Sequence, residues 1–199
     1  MGQPPRKKKS KLLMLIVVAV IAVLVTSVIL YRLYVGTSDS SQLDDPANDV
    51  VLSVGTQYPG MIDVVSAALK VNGTTLTVTV NVADPVSVLG DGEYAQWNIT
   101  LILENDTDVL KTYMISVNMN STQLTGSVVD VDAGTVQTCQ VNYNKNSLTV
   151  VAVMSELNGT KMIEWNILTT YEGYSGDELI TSASDMAPDE SLQQTVLGT

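Results

Sequence analysis

An unbroken apolar run of nineteen residues, LLMLIVVAVIAVLVTSVIL, occupies residues 12–30 of this chain and contains no charge, proline or glycine. At about 1.5 Å per helical residue, a run of this length makes a helix of about 28 Å, which matches the hydrocarbon thickness of a bilayer. The run is longer than the apolar core of a cleaved signal peptide, and no small-residue cleavage pattern follows it. The sequence therefore predicts a retained signal-anchor helix.

The charges around this run predict the orientation of the chain. Five basic residues lie within residues 6–11, and the positive-inside rule places this tail in the cytoplasm and the region after the helix outside the cell. Residues beyond the helix begin with a Ser/Asp-rich stretch that is typical of a flexible spacer. We expect a cytoplasmic tail at 1–11, a transmembrane helix at 12–34, a spacer at 35–48, a folded domain at 49–190 and a C-terminal tail at 191–199.

The region beyond the anchor is strongly acidic, since all 21 Asp and Glu residues follow residue 35 and only four lysines accompany them. Such a surface repels phosphate, which argues against a nucleic-acid partner. It suits either solubility at a salty surface or the binding of divalent cations. The chain has no histidine and one cysteine, Cys139, which excludes Ser-His-Asp and Cys-His catalysis, histidine-ligated zinc and an intramolecular disulfide. We therefore expect a non-catalytic domain.

Alternation of apolar and polar residues predicts β-strands throughout the acidic region, and no helical pattern appears there. The clearest case is residues 75–82, in which Thr and Asn alternate with Leu and Val. Eight or nine short strands separated by turn signals predict an all-β fold, an antiparallel two-sheet β-sandwich of the jelly-roll or immunoglobulin-like type. The other strand candidates are 50–54, 62–71, 97–103, 109–117, 124–131, 135–142, 148–154 and 163–167.

Five N-x-Ser/Thr sequons fall in the same region and predict a glycosylated exterior. Three of them lie in predicted turns, and Asn98 lies on the polar face of its strand, opposite Trp97. Such positions leave the amide accessible to a glycan, although a chain rich in Asn and Thr also produces sequons by chance. The five acceptors are Asn72, Asn98, Asn105, Asn120 and Asn158.

Several short motifs occur in order along residues 44–190. The domain opens with DDPANDV, continues with YPGMIDV and LTVTVNVAD, and ends with MSEL, a tryptophan at 165 and SDMAPD. This order resembles the DOMON-like group of extracytoplasmic β-sandwiches, which includes domains similar to carbohydrate-binding module family nine. The resemblance implies a two-sheet sandwich that displays a binding face for sugar or, in the cytochrome branch, for haem.

The haem branch uses Met and His axial ligands, and the absence of histidine argues against haem in this chain. Sugar-binding members hold a pyranose between aromatic rings, so the resemblance makes Trp97, Trp165 and Tyr171 ligand-site candidates. Both tryptophans also alternate in phase with core aliphatic residues, which makes a position in the core the alternative. Further tyrosines that qualify as helpers are Tyr94, Tyr143 and Tyr174.

Acidic residues cluster at both ends of the domain. If the termini of the sandwich meet, these carboxylates converge, and clustered Asp and Asn oxygens suit calcium, which takes six to eight oxygen ligands. Some relatives in the resembling group hold structural calcium near their termini. Ordinary turn and cap chemistry is the alternative. The candidate ligands are Asp44, Asp45, Asn48 and Asp49 at the start, and Asp185, Asp189 and Glu190 at the end.

These features together predict a single-pass surface protein whose sandwich is a binding module for envelope polysaccharide, another glycan or a protein partner. A structural subunit of a surface layer or filament is the alternative, and a glycan-active enzyme is a distant third. The acidic composition and the lack of disulfides favour a prokaryotic surface, with an archaeal one among the candidates.

Overall fold

The computed structural model describes residues 39–189 and 192–197, all of which belong to one compact unit. The helix predicted at 12–34 lies outside the described residues. Within them, no helix combines the length and the apolar character needed to cross a membrane.

The described residues form thirteen strands and two single-turn 3-10 helices, at Gly60–Ile62 and Ser155–Leu157. The predicted all-β class is thereby confirmed, with more strands than the eight or nine expected. In chain order the strands are β1 (Asp39–Asp44), β2 (Val51–Val54), β3 (Val64–Asn72), β4 (Thr75–Val82), β5 (Glu93–Glu104), β6 (Val109–Met119), β7 (Leu124–Asp130), β8 (Thr135–Thr138), β9 (Gln140–Asn144), β10 (Ser147–Val153), β11 (Met162–Ser175), β12 (Glu178–Ala187) and β13 (Gln193–Val196).

The strands make two antiparallel sheets. The small sheet has the order β1-β3-β4-β10-β9, and the large sheet has the order β2-β12-β11-β5-β6-β7-β8. Strand β13 joins the large sheet by pairing with the first residues of β11, whereas β12 pairs with the rest of it. Strand pairs that are far apart in sequence, such as β5 with β11, therefore meet at the centre of the large sheet.

Period-two burial explains why these segments form a sandwich. Along β4 and β5 every second side chain is apolar and buried, and its neighbours are polar or face outward. Each fully buried Val, Leu or Ile contributes about 1.5–3 kcal/mol relative to an exposed position. Inward side chains of both sheets belong to one continuous core, which includes the completely buried Trp97 and Trp165.

Two boundaries predicted from the sequence are wrong. Residues 39–44, assigned to the flexible spacer, form β1 and pair with β3, and Leu43 is buried. The predicted C-terminal tail contains β13, which pairs with β11 and is followed by the buried Leu197. Both strands are dominated by Ser, Thr, Gln and Asp, so their composition resembles that of a linker. Their polar side chains serve the core directly, because the indole N–H of Trp165 donates to Ser41 Oγ and to Thr195 Oγ1.

The strand predicted at 135–142 is divided at Cys139. Residues before it form β8 in the large sheet, and residues after it form β9 in the small sheet. Gly126 of β7 leaves room for this crossing, because a Cβ at that position would collide with Val141 Cγ2 and would lie 2.7 Å from Cys139 Sγ. The Cys139 amide donates to the Gly126 carbonyl at 3.1 Å, which fixes the corner. Burial raises the pKa of the Cys139 thiol, as expected for a structural cysteine.

Candidate metal centre

Four aspartates meet where the start of the sandwich packs against the inner face of β12. Asp45 directly follows β1, Asp49 lies in the turn before β2, Asp63 follows the first 3-10 helix, and Asp185 lies on β12. Oxygens of Asp45, Asp49 and Asp185 all lie within 4.8 Å of one another. These four residues are called the metal centre below.

Asp185 occupies an inward position that the strand pattern would otherwise give to an apolar residue. It is 4% exposed and alternates along β12 with the buried Ala183 and Ala187. Its Oδ2 accepts a hydrogen bond from the Val64 amide at 2.7 Å. An inward carboxylate is expensive unless a donor or a cation compensates it, so one backbone N–H accounts for only part of its environment.

Asp63 is the most deeply buried member, with 1% of its surface exposed. Its Oδ2 accepts from the Asn48 amide at 2.9 Å, and its Oδ1 has no hydrogen-bond partner. Asn48 adopts a left-handed backbone conformation with φ of 70°, which Asn tolerates better than most residues. This bond anchors the turn between Asp45 and Asp49 above Asp63, and the turn carries both carboxylates toward β12.

The carboxylates of the metal centre are not neutralised by basic side chains. Among the described residues the one ion pair joins Lys111 to Asp130, and neither belongs to the metal centre. Buried oxygens without a hydrogen-bond partner occur on three of its members: Oδ2 of Asp45, both oxygens of Asp49 and Oδ1 of Asp63. Native proteins pair almost all of their buried polar atoms, so such a concentration indicates that a ligand is expected there.

The pKa values of these carboxyls are raised, first by burial and then by the neighbouring negative charges. Burial, followed by repulsion from Asp185 and Asp49, raises the pKa of Asp45 from 3.8 to about 7. Burial also raises the pKa of Asp185 to about 6, against the opposing effect of the Val64 and Met186 N–H groups. The pKa of Asp49 is raised too, chiefly by burial. A cation in the metal centre would favour the ionised carboxylates and so offset these shifts.

The donor set consists of oxygen alone and comes from three separate segments of the chain. Hard cations select carboxylate and carbonyl oxygens, whereas zinc sites are dominated by Cys and His. Calcium accepts irregular geometry with six to eight ligands, and magnesium demands a near-ideal octahedron. Three converging carboxylates with Asp63 behind them, supplemented by carbonyls or water, fit calcium better than magnesium.

The structure brings three of the ligand candidates from the sequence together, and their binding of calcium stays a prediction. Asp45, Asp49 and Asp185 converge from opposite ends of the domain. Asp44 is exposed and accepts a hydrogen bond from Gln42 instead, which removes it from the set. Asp189 is exposed, but its charge contributes to the raised pKa values of Asp45 and Asp49. Glu190 lies outside the described residues.

Asn48 was expected as a ligand and Asp63 was not, and the structure differs from both expectations. Asn48 contributes its backbone amide, and its side chain is exposed. Asp63 was missed, although a signal was present: it is the acidic residue between Ile62 and Val64, at an inward position of an apolar segment. An acid in such a pattern needs a specific compensating group.

The aromatic ligand candidates lie in the core. Trp97 and Trp165 are completely buried, as the alternative interpretation expected, so neither ring offers a face to a sugar. Tyr171 is also buried, and its hydroxyl donates to Glu93 Oε1 at 2.7 Å. The sugar platform expected on these three residues is therefore absent, because the inward phase of β5 and β11 places all three side chains in the core.

The asparagine side chains of the five sequons differ in their exposure and in their hydrogen bonds. Asn72 and Asn158 are exposed. Asn98 lies on the outer face of β5, where its Oδ1 accepts from Ser116 Oγ. In Asn105 and Asn120 the side-chain oxygen accepts from the backbone two and three residues later, as in an Asx turn.

Neither models of known protein families nor curated proteins match this chain. The resemblance to the DOMON-like group remains an expectation from short motifs. What the metal centre can bind follows from the positions and burial of its own carboxylates.

Proposed function

We propose that this chain is a surface protein, anchored by one N-terminal transmembrane helix, whose extracytoplasmic sandwich is closed by a calcium ion and acts as a non-catalytic binding module for envelope glycan or a protein partner. The proposal of a bound cation rests on the metal centre, where carboxylates converge and several of their buried oxygens have no hydrogen-bond partner. The apolar run at 12–30 and the basic tail before it support the anchor.

A cation in this position would connect the two ends of the domain. Asp45 and Asp49 flank the turn through which the chain passes from the small sheet to the large one, and Asp185 lies on the last long strand. Coordination would cross-link the two sheets where the chain leaves β1 and enters β2. A domain with no disulfide would thereby gain a stabilising cross-link between distant parts of the chain.

The proposal is tested on the full chain, purified in detergent and stripped of divalent ions. Calcium at about 100 times its dissociation constant should raise the free energy of unfolding by about 2.7 kcal/mol, which corresponds to about 5–10 °C in the melting temperature of a domain of this size. Isothermal titration should give one site with a preference for calcium over magnesium. The matched pair is Asp45→Asn, which should remove the response, and Asp44→Asn, an exposed neighbour that should retain it. A wild-type melting temperature that does not change when calcium is added would contradict the proposal.

An assembly subunit is the second candidate, and one observation favours it. Strand β2 lies at an edge of the large sheet and exposes Val51, Leu52 and Val54. An aliphatic edge strand is a template for strand addition by another chain. Light scattering of the full chain should then show concentration-dependent oligomers that Leu52→Lys disperses. Val88→Lys, which changes a more exposed loop residue away from this edge, is the control.

A further inference from the structure

The outer face of the large sheet carries a groove that is separate from the metal centre. It consists of two adjoining cavities, of about 270 and 480 Å³, which share Tyr94 and Glu172. Tyr94 and Glu172 are direct partners across the β5–β11 pairing, and both point away from the core. A ligand longer than one ring can therefore contact both cavities at once.

One wall of the groove is aromatic. Tyr94, the second residue of β5, is 50% exposed. Its ring meets that of Tyr174 edge to face, with centroids 6.1 Å apart and planes at 80°. The Tyr174 hydroxyl donates to Glu172 Oε2 at 2.8 Å. The pair is thus held in place before any ligand arrives, which reduces the entropy lost on binding.

A glycine lets the two strands close beneath these tyrosines. Gly92 has φ of +81° and accepts a hydrogen bond from the Tyr174 amide at 2.9 Å. A Cβ at this position would lie 2.7 Å from the Tyr174 carbonyl oxygen. Any residue other than glycine would therefore strain the backbone at this position of the rim.

The floor of the groove is made of amides and hydroxyls. Gln96 lies opposite Asn118 on β6 and opposite Thr170 on β11. Gln96 Nε2 donates to Asn118 Oδ1 at 2.7 Å, which orients both amides. Each amide keeps one polar atom that takes no part in this bond, an acceptor on Gln96 and a donor on Asn118. A donor next to an acceptor is the arrangement that neighbouring hydroxyl groups of a sugar require.

Charge decides the class of ligand. The residues that line the two cavities include two carboxylates, of Glu172 and Asp177, and no lysine or arginine. The whole chain carries a net charge of −11, so an anionic ligand would be repelled. Tyrosine rings, paired amides and threonine hydroxyls are the groups that bind an uncharged polyhydroxylated molecule, since they combine apolar faces with fixed hydrogen bonds.

We infer that this groove binds a neutral oligosaccharide. The inference deepens the proposed role as a binding module and rests on it, but it requires no cation. It moves the sugar site from the buried tryptophans to the outer face of the same sheet. The sequon residue Asn120 lines the groove, so a glycan attached there would compete with an external ligand. The test therefore needs protein from a host that does not N-glycosylate.

The experiment is isothermal titration of the full chain in a detergent without a sugar headgroup. The probes are the neutral hexasaccharides of β-1,4-glucose, β-1,3-glucose and β-1,4-mannose, with hexagalacturonate as the anionic counterpart. We expect at least one neutral probe to bind, about tenfold more weakly to Tyr94→Ala and to Asn118→Ala. Tyr94→Phe should retain binding, because it keeps the ring. Tyr143→Ala, which removes a tyrosine of similar exposure on β9, is the matched control.

Three results would overturn the inference. Neutral probes that bind equally well to wild type and to Tyr94→Ala would place the sugar site elsewhere and leave the binding role intact. Preferential binding of hexagalacturonate would contradict the argument from charge. A folded protein that responds to calcium and binds no neutral probe would refute the groove and leave the metal centre standing.

Discussion

The cation-free sandwich should become less stable as the pH rises from about 4 to about 7, the reverse of ordinary acid denaturation. Its cause is the metal centre, where the pKa values are about 7 for Asp45 and about 6 for Asp185, against 3.8 for an unperturbed Asp. Between these values the folded state keeps protons that the unfolded chain has released. The free energy of unfolding then falls with pH by about 1.4 kcal/mol per unit for each retained proton.

The magnitude follows from the width of the window. One proton retained by Asp45 over about three pH units corresponds to about 4 kcal/mol, and solvent screening at this partly exposed carboxyl reduces that to about 2–4 kcal/mol. The proton retained by Asp185 makes the free energy of unfolding fall more steeply with pH below pH 6. The carboxyls of Asp45 and Asp185 interact and titrate as a coupled group. Asp130, whose pKa is lowered by Lys111, acts in the opposite sense and only as the pH falls below about 4. Maximal stability of the cation-free form is therefore expected near pH 4–5.

The assay is thermal unfolding between pH 4 and pH 8 in buffers stripped of divalent ions, followed by the fluorescence of the two buried tryptophans. The melting temperature should fall by at least about 5 °C between pH 4.5 and pH 7 and should recover at pH 7 when calcium is added. Asp45→Asn should flatten this slope, whereas Asp44→Asn should leave it unchanged. A cation-free melting temperature that rises steadily from pH 4 to pH 7 would refute the reasoning.

Three further predictions concern the fold and its exterior. Gly126→Ala should lower the free energy of unfolding by about 1–3 kcal/mol in a denaturant titration, because the new methyl group collides with Val141 and Cys139 at the corner between the sheets. Leu43→Ala should cost about 2–4 kcal/mol by the same measurement, although the residue lies in a segment that looks like a linker, and the exposed Leu110→Ala should cost far less. In a glycosylating secretory host, Asn158→Gln should remove one glycan step on a gel, and an unchanged mobility would show that this sequon is unused.

Strands β4 and β5 show how much of the fold can be predicted from sequence. Their inward positions are almost entirely apolar, so a period of two is visible without any neighbour. Strands β1 and β13 could not be found in this way, since each buries little apolar surface and contributes hydroxyls to a tryptophan on another strand. The requirement for those hydroxyls exists only after the sheets are assembled.

The metal centre and the groove also differ in how far the sequence could predict them. The meeting of Asp45 with Asp185 was predicted on the condition that the termini of the sandwich come together, and the structure brings the two carboxylates together. Tyr94 and Tyr174 were named only as helper tyrosines. Their meeting in a groove was not predicted, since they are far apart in sequence and become neighbours only through the pairing of β5 with β11. Single-sequence patterns report which face a residue occupies, and they do not report which strands lie side by side.

The substitution Asp49→Asn separates a metal site from a merely acidic turn by the sign of its effect. Neither oxygen of Asp49 accepts a hydrogen bond from another residue, so the amide removes charge without breaking a bond to the rest of the site. In cation-free buffer at pH 8 the variant should be more stable than wild type, because it relieves repulsion on Asp45. In saturating calcium it should be less stable, since a charged ligand is lost and the linkage term shrinks. A turn that only caps backbone groups would shift in the same direction in both buffers, so paired unfolding curves with and without calcium distinguish the two cases.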